Sequence, residues 1–276
     1  MNPRFAVLID LSGTLFIDDV SIPGAIESLR RLLSHRSFAV RFVTNTTKES
    51  SSNLLARLHR VGFDFVQKES VFTSITAARQ LVQEKGLRPM LLLEKEAEEE
   101  FEGIECSDPN AVVIGLAPSQ FYYQRLNEAF RLLRDKEESI LVGIHKGRYY
   151  EAKDGLALGP GPFIHALEYA TGKQAVVVGK PKREFFEGAL MTIKSSSGDG
   201  GCIPISNTVM IGDDVKDDVC GAASNGIRAI LVKTGKYRVG DEEMMKNLGG
   251  KVEVAENVVE AIERITKDDG IDFFAH

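Results

Sequence analysis

The sequence predicts an α/β protein in which a parallel sheet with helices on both faces is interrupted by a second, inserted α/β domain. Two observations lead to this class. First, apolar runs alternate with amphipathic stretches, and the runs are nearly continuous in Val, Ile and Leu, which is typical of parallel strands buried on both faces. Second, the middle of the chain shows the same alternation again, and 276 residues are enough for two domains.

The outer parts of the chain supply the strands of the first sheet. Residues 5–10 and 38–45 are apolar runs, and helices are expected after them at 23–35 and 48–62, with Gly62 closing the second helix. Three further runs are predicted to complete this sheet, at 174–180, 207–214 and 227–235. Each run ends in polar residues, and in such sheets the binding site lies at the carboxyl ends of the strands.

The inserted part has its own strands and helices. Strands are expected at 89–94, 111–117 and 139–145, and helices at 119–135 and 161–172. The sequence therefore predicts two domains. Residues 1–74 and 176–276 form a discontinuous first domain, and residues 75–175 form the inserted domain.

Composition and charge argue against several classes of function. A net charge of −6 disfavours a nucleic-acid-binding surface, and no apolar run is long enough to cross a bilayer. The three cysteines are scattered, and the first residues lead straight into a strand without a signal-peptide pattern. We therefore expect a cytoplasmic protein with reduced thiols. Two Phe residues in the tail, 269–276, permit a homodimer without requiring one.

Asp10 ends the first apolar run and is followed by a turn that contains Gly13. One interpretation is a carboxylate that caps the turn through backbone hydrogen bonds. The alternative is chemical. Gly13 allows a tight turn whose N–H groups bind an anion, and Asp10 either holds a cation there or attacks phosphorus to form an acyl phosphate. Both chemical roles imply Mg²⁺, which prefers carboxylate, substrate and water oxygens.

A cluster of acids follows the run at 207–214. Asp213 and Asp214 end this run, and Asp217 and Asp218 come directly after it. Acids at a helix N-terminus interact favourably with the helix dipole, which accounts for one or two of them. Four aspartates within six residues repel one another unless a cation compensates, so the sequence indicates a metal site.

Lys180 and Thr44 end two other apolar runs. Lys180 precedes Pro181, and it either lies exposed or offsets the charge of a nucleophile and of phosphoryl oxygens. Thr44 is either a satisfied strand-end residue or a donor to a phosphoryl oxygen. Asp10 with its turn, the acid cluster, Lys180 and Thr44 together indicate phosphate chemistry more specifically than any one of them.

Those four stretches, "DLSGT", "FVTN", "VGKP" and "IGDDVKDD", resemble in that order the motifs of the haloacid dehalogenase (HAD) superfamily. The resemblance implies a Rossmann-like core and Mg²⁺-dependent phosphohydrolase activity through an aspartyl-phosphate. The insertion falls between the second and third motifs, as in the superfamily branch with a large α/β cap domain. The implied substrate is a small phosphorylated molecule.

The resemblance also implies roles for individual residues. Asp10 would be the nucleophile and a Mg²⁺ ligand, Asp213 a direct ligand, and Lys180 the group that neutralises charge between Asp10 and the phosphate. Asp214 and Asp218 would act on the metal through water or hydrogen bonds. The phosphoryl group would be bound by Ser12, Gly13, Thr44, Asn45 and Lys180.

Position 12 departs from the superfamily pattern, because Ser12 stands where the second aspartate of the first motif is usual. Its main-chain carbonyl can still ligate Mg²⁺, but its hydroxyl is a poor general acid near neutral pH. We therefore expect a preference for substrates with good leaving groups, such as pyrophosphate or a phosphoramidate. Two alternatives stay open: a catalytically weak binding protein with this fold, and a phospho-acceptor domain of the signalling-receiver type.

Cations in the inserted domain are candidates for contact with an anionic leaving group. They lie near its last strands and are His145, Lys146, Arg148 and Lys153. Ordinary surface charge is the alternative interpretation.

Overall fold

The computed structural model describes residues 3–47, 49–152, 155–197, 203–246, 248 and 252–267. The chain divides by its contacts into two compact units. The first unit comprises Met1–Thr44, Leu55–Phe72 and Lys180–His276, and the second comprises Asn45–Leu54 and Thr73–Gly179. The domain boundaries expected from the sequence stay a prediction, since the units follow contacts alone. Among the described residues, no helix is both long and apolar enough to cross a membrane.

A six-stranded sheet forms the centre of the first unit. Its strands, in spatial order, are β14 (Val252–Ala255), β13 (Arg228–Val232), β12 (Thr208–Gly212), β1 (Phe5–Asp10), β4 (Phe38–Thr44) and β5 (Val71–Thr73). Strand β1 is buried along its whole length and pairs in parallel with both β4 and β12. Ile9 is in register with Phe42 on one side and Ile211 on the other, so these three strands end at one edge of the sheet.

Helices of the first unit lie along the sheet or follow its strands. They are α1 (Ala25–Ser34), the later part of α2 (Ser51–Val61), α7 (Arg183–Ser197), α8 (Gly221–Ser224) and α9 (Val258–Thr266). Gly62 follows α2 with φ +109°, which confirms the predicted glycine at the end of that helix. The side chain of Asn257 caps α9 by accepting hydrogen bonds from two backbone N–H groups, at 3.0 and 3.2 Å. A short antiparallel ribbon of β2 (Phe16–Ile17) and β3 (Val20–Ser21) follows β1.

The second unit has its own four-stranded parallel sheet. Its strands, in spatial order, are β11 (Val176–Val177), β8 (Ile140–Gly143), β7 (Ala111–Ile114) and β6 (Pro89–Leu92). A separate hairpin consists of β9 (Tyr149–Ala152) and β10 (Gly155–Leu158). The helices are α3 (Ser74–Glu84), α4 (Lys95–Glu98), α5 (Tyr123–Asp135) and α6 (Gly161–Thr171), together with the start of α2. These elements confirm the three strands and two helices predicted for the insertion.

One predicted strand belongs to a different sheet. The run at 174–180 was expected in the first sheet, but only Val176 and Val177 are extended, and they pair with Val142 and Gly143 of β8. The expectation was wrong because a short Val-rich run fits the edge of either sheet, and its apolar pattern carries no information about its partner. Two strands of the first sheet, β5 and β14, are short and were not predicted from the sequence.

Candidate active site

The candidate site lies at the carboxyl edge of the first sheet, where β1, β12 and β4 end. Asp10 is the last residue of β1, Thr44 is the last residue of β4, and Asp213 directly follows β12. All three side chains are buried, as is that of Lys180. Parallel pairing in register explains why Asp10, Thr44 and Asp213, separated widely along the chain, meet at one edge. Lys180 is not on a strand of this sheet, and its ammonium joins the site through its contacts with Asp10 and Asp218.

Lys180 joins two of the acids. Its ammonium lies 2.5 Å from Oδ1 of Asp10 and 2.6 Å from Oδ1 of Asp218. Burial alone lowers the pKa of this ammonium, but the two adjacent carboxylates outweigh burial and raise the pKa above its ordinary value. The ammonium is therefore charged at physiological pH and is fixed beside the carboxylate of Asp10.

Three buried carboxylates converge at this edge. Ligand oxygens of Asp10, Asp213 and Asp218 lie within 4.8 Å of one another. Burial, together with the charge of Asp10, raises the pKa of Asp213 to about 7. Burial also raises the pKa of Asp218. Both shifts disfavour the ionised carboxylates in the absence of a cation. An all-oxygen donor set of this kind suits a hard divalent cation such as Mg²⁺.

A tight helical segment places Asp218 in the cluster. Residues Val215–Cys220 form a π-helical turn, and Asp214 caps it by accepting from the N–H groups of Lys216 and Asp217, both at 3.0 Å. The N–H of Asp214 in turn donates to Oδ2 of Asp218 at 3.2 Å. Such turns are often found at functional sites. Here the turn directs Asp218 inward.

Asp214 itself faces another partner. Its Oδ2 accepts from the ammonium of Lys236 at 3.0 Å, and it is not one of the three convergent acids. The resemblance had grouped Asp214 with Asp218 as acids acting through water or hydrogen bonds. The structure separates them, because Asp218 lies against Asp10 and Asp213 while Asp214 serves as a helix cap.

The turn after β1 is held by its own backbone. The N–H of Gly13 donates to the carbonyl of Phe16 at 2.7 Å, and the hydroxyl of Thr14 lies 3.2 Å from Oδ1 of Asp213 and 3.4 Å from Oδ2 of Asp10. The N–H of Gly13 is thus engaged within the turn, and its part in binding an anion stays a prediction. The side chain of Ser12 is exposed.

Asn45 belongs to the second unit, whereas Thr44 ends β4 in the first. The predicted role of Asn45 in phosphate binding stays a prediction. Of the predicted site residues, the first unit brings together Asp10, Thr44, Lys180, Asp213 and Asp218.

Sequence reasoning missed the loop that follows β13. The N–H of Lys236 donates to Oδ2 of Asp213 at 2.7 Å, and the hydroxyl of Thr234 donates to the carbonyl of Gly13 at 2.5 Å. The run at 227–235 ends at the same edge of the sheet as β12, and this position was the signal that could have identified the loop.

The cations proposed in the insertion have partners within the second unit. Lys146 forms an ion pair with the buried carboxylate of Glu168 at 2.6 Å, and Arg148 lies over the ring of Tyr149. His145 accepts a hydrogen bond from the N–H of Gly147 at 3.1 Å, with its ring nitrogen Nδ1. Lys153 lies outside the described residues, as does the tail with its two Phe residues.

The fold and the site together define an α/β protein with a buried acidic cluster and a buried ammonium at the carboxyl edge of a parallel sheet. Two family models match the chain: one described as haloacid dehalogenase-like hydrolase over residues 7–107, and one described as HAD-hydrolase-like over residues 177–261. A bovine relative, haloacid dehalogenase-like hydrolase domain-containing protein 2 from Bos taurus, is 59% identical over 86% of this chain and 87% of its own. The chain belongs to the haloacid dehalogenase-like hydrolases.

Other members of this group extend the comparison. The human phospholysine phosphohistidine inorganic pyrophosphate phosphatase is 43% identical over 86% of this chain and 85% of its own. The solved structure of a 4-nitrophenylphosphatase from Thermotoga maritima matches with a TM-score of 0.80 and 26% identity, over 94% of this chain and 96% of that one. A glycerol phosphate phosphatase from Mycobacterium tuberculosis, solved in complex with magnesium, matches with a TM-score of 0.76 and 25% identity, over 92% and 76% of the two chains.

Proposed function

We propose that this hydrolase is a Mg²⁺-dependent phosphohydrolase that acts on a small phosphorylated substrate in the cytoplasm, through an aspartyl-phosphate on Asp10. The observation that carries the proposal is the ammonium of Lys180, held 2.5 Å from Asp10 inside a cluster of buried acids. An ammonium fixed in this place can offset the charge of a bound phosphoryl group as well as that of Asp10. The phosphatases among the relatives and structural matches support the same reaction class.

The proposed reaction has two steps. In the first, a carboxylate oxygen of Asp10 forms a bond to phosphorus, and the bond from phosphorus to the leaving group breaks with its electron pair going to the leaving group. In the second, water attacks phosphorus and the Asp10–phosphorus bond breaks, which yields inorganic phosphate and a proton for solvent. Lys180 offsets the negative charge that accumulates between Asp10 and the phosphoryl oxygens in both steps.

The residues present fit a Mg²⁺ ion by the chemistry of their donor set. Asp10, Asp213 and the main-chain carbonyl of Ser12 would hold it, and Asp218 lies close enough to the first two to assist. When bound, Mg²⁺ neutralises and orients the phosphoryl oxygens. Asp214 contributes indirectly in this scheme, by capping the turn that carries Asp218.

The substrate class follows from Ser12. General acid–base help is worth roughly 10²–10⁴ in rate, and a serine hydroxyl supplies little of it at neutral pH. A poor leaving group such as a sugar alkoxide needs a proton in the transition state, whereas pyrophosphate or a phosphoramidate needs less help from the protein. We therefore propose a substrate with a good leaving group. The name of the human relative, which refers to phospholysine, phosphohistidine and pyrophosphate, supports this class.

A second candidate is a binding protein that kept the fold and the cation site but turns over slowly. The exposed Ser12 in the place of an acid is the observation that favours it. In this case phosphorylated ligands would bind with Mg²⁺ and dissociate largely unchanged.

One experiment separates these candidates. The native chain and an Asp10→Asn variant are assayed for Mg²⁺-dependent hydrolysis of 4-nitrophenyl phosphate, with Asp19→Asn, an exposed acid, as the matched control. We expect activity in the native and control chains and none in Asp10→Asn. Equal activity in all three would remove Asp10 as the nucleophile. No activity in any of them, with Mg²⁺ bound by the native chain, would favour the binding protein.

A further inference from the structure

The loop after β13 lies against the end of β12 and contacts Asp213 there. In the sheet, β12 lies between β13 and β1, so the loops that follow those two strands flank the position of Asp213. The hydroxyl of Thr234 donates to the carbonyl of Gly13 at 2.5 Å. This bond ties the two flanking loops to each other across the end of β12.

The carboxylate of Asp213 is held by both loops. The N–H of Lys236 donates to Oδ2 at 2.7 Å, and the hydroxyl of Thr14 lies 3.2 Å from Oδ1. Thr14 also lies 3.4 Å from Asp10, so Oδ1 is the oxygen on the side of the other acids. The two loops therefore fix which oxygen of Asp213 faces the acidic cluster.

Gly235 allows this close approach. A Cβ atom at residue 235 would lie 2.2 Å from Oδ2 of Asp213 and 2.5 Å from the Cα of Gly13, and the backbone there has φ +54°. Gly13 meets the same carboxylate from the other loop, where a Cβ would lie 2.1 Å from Oδ2. Any side chain at residue 235 must displace Asp213 or separate the loops, since the second contact is backbone.

We propose that Thr234, Gly235 and the N–H of Lys236 form a positioning element that sets the orientation of Asp213 for the metal ion. The inference rests on the proposed function in one respect, which is that Asp213 ligates Mg²⁺. Three residues on a loop outside the four motifs would then raise the Mg²⁺ affinity of the site through their contacts with Gly13 and Asp213.

The decisive test compares two glycine substitutions. Gly235→Ala and Gly240→Ala both place alanine where φ is positive, +54° and +101°, but a Cβ at residue 240 has nothing within 4 Å. Backbone strain is therefore present in both variants, and the collision with Asp213 only in the first. Mg²⁺ binding to the full chain is measured by titration calorimetry with MgCl₂ alone, and thermal stability is measured in EDTA.

We expect Gly235→Ala to weaken Mg²⁺ binding by about tenfold or more, since orientation of ligands by their surroundings typically contributes 10- to 100-fold. Gly240→Ala should stay within about twofold of the native chain, with thermal midpoints in EDTA lowered in both by backbone strain. Equal Mg²⁺ affinity in the two variants would overturn the inference.

A second pair of variants decides the question if Gly235→Ala does not fold. Thr234→Val removes the donor to Gly13 and should weaken Mg²⁺ binding, whereas Thr234→Ser keeps the donor and should restore it. Native affinity in Thr234→Val would count against the inference. Asp213→Asn distinguishes failure of the proposed metal role from failure of the positioning role. If Asp213→Asn binds Mg²⁺ like the native chain, Asp213 is not a metal ligand. If Asp213→Asn binds weakly but the loop variants bind normally, only the positioning role fails.

Discussion

Lys180 and Asp10 lie 170 residues apart in the sequence, and their side chains are 2.5 Å apart in the fold. Their contact is buried, and the same ammonium also holds Asp218 at 2.6 Å. One ammonium thus holds the carboxylates of Asp10 and Asp218, which lie far apart in the sequence. The consequences of removing it are both chemical and structural.

If Asp10 acts as proposed, the substitution Lys180→Met should lower turnover of 4-nitrophenyl phosphate by roughly 10²–10³-fold, because the negative charge between Asp10 and the phosphate is no longer offset. It should also lower the free energy of unfolding by about 3–5 kcal/mol in EDTA, as expected when one partner of a buried ion pair is removed. Urea unfolding and initial rates measure the two effects. Lys246→Met is the control, since Lys246 and Glu243 form an exposed pair worth less than about 1 kcal/mol. Similar losses in both variants would contradict the role of Lys180.

The raised pKa of Asp213, about 7, predicts how stability depends on pH. The folded, metal-free chain holds a proton on Asp213 at pH values where the unfolded chain has lost it. Stability from this group is therefore present below about pH 4 and is lost as pH rises toward and through 7, by up to about 1.4 kcal/mol per pH unit. The metal-free chain should be less stable at pH 8 than at pH 6.

Mg²⁺ should reverse this trend, because the ion binds the ionised carboxylate and competes with its proton. The gain in urea midpoint on adding MgCl₂ should be larger at pH 8 than at pH 6. The four measurements, at two pH values with EDTA or MgCl₂, are compared with the same four on Asp213→Asn, which should show a smaller dependence on both. A gain from MgCl₂ that is the same at both pH values would speak against Asp213 as the titrating ligand.

The substitution Ser12→Asp should restore general acid catalysis where it is needed. Turnover of an alkyl phosphomonoester should rise by about 10²-fold or more, while turnover of 4-nitrophenyl phosphate changes little, since its leaving group needs no proton. Steady-state rates on both substrates give the ratio. Ser12→Asn is the control, because asparagine is similar in size to aspartate but is not an acid. An equal rise on both substrates would place the effect of position 12 in the shared hydrolysis of the aspartyl-phosphate rather than in protonation of the leaving group.

Glu168 offers a test confined to the second unit. Burial by itself raises the pKa of this carboxyl, but the hydrogen bond from Lys146 and that from the N–H of Ala175 outweigh burial and lower it. Its contribution to stability is present above the ordinary pKa of a glutamate and is lost as pH falls through the lowered value. Glu168→Gln should therefore cost about 1–3 kcal/mol at pH 7, and the difference from the native chain should shrink in acid.

Urea unfolding at pH 7 and at about pH 3 measures this effect. Glu128→Gln is the matched control, because Glu128 pairs with Arg125 on the exposed side of α5. It should change stability by less than about 0.5 kcal/mol at either pH. If Glu168→Gln behaved like the control, the ion pair with Lys146 would be structurally unimportant.

The sequence predicts most of what lies on strands and less of what lies on loops. Apolar runs that end in Asp10, Thr44 and Asp213 identify parallel strands, and parallel strands bring their carboxyl ends together, so these three positions follow from the pattern. Lys180 follows from its order among the motifs. Which of the later aspartates turns inward depends on a π-helical turn, and no residue pattern distinguishes that turn from an ordinary helix start.

The loop at 234–236 was missed for a different reason. Thr-Gly after a strand is a common turn signal, and its meaning here comes from the strand order, which places β12 between β13 and β1. The partner of the run at 174–180 was missed for the same reason, since strand order is a property of the whole fold. Local patterns carry neither piece of information.

The strand order has one more consequence, for the order of events at the ribosome. Strand β1, which ends in Asp10, pairs with β4, made soon after it, and with β12, made some 200 residues later. A nascent chain that ends before Lys236 contains Asp10 but lacks the N–H of Lys236 that holds Asp213 beside it. At about 5–20 residues per second, residue 236 emerges roughly 10–45 s after residue 10. For most of that interval the growing chain carries Asp10 without the acids that surround it in the fold. If Asp10 acts as proposed, competence for phosphoryl transfer arrives only after residue 236 of 276 has been made.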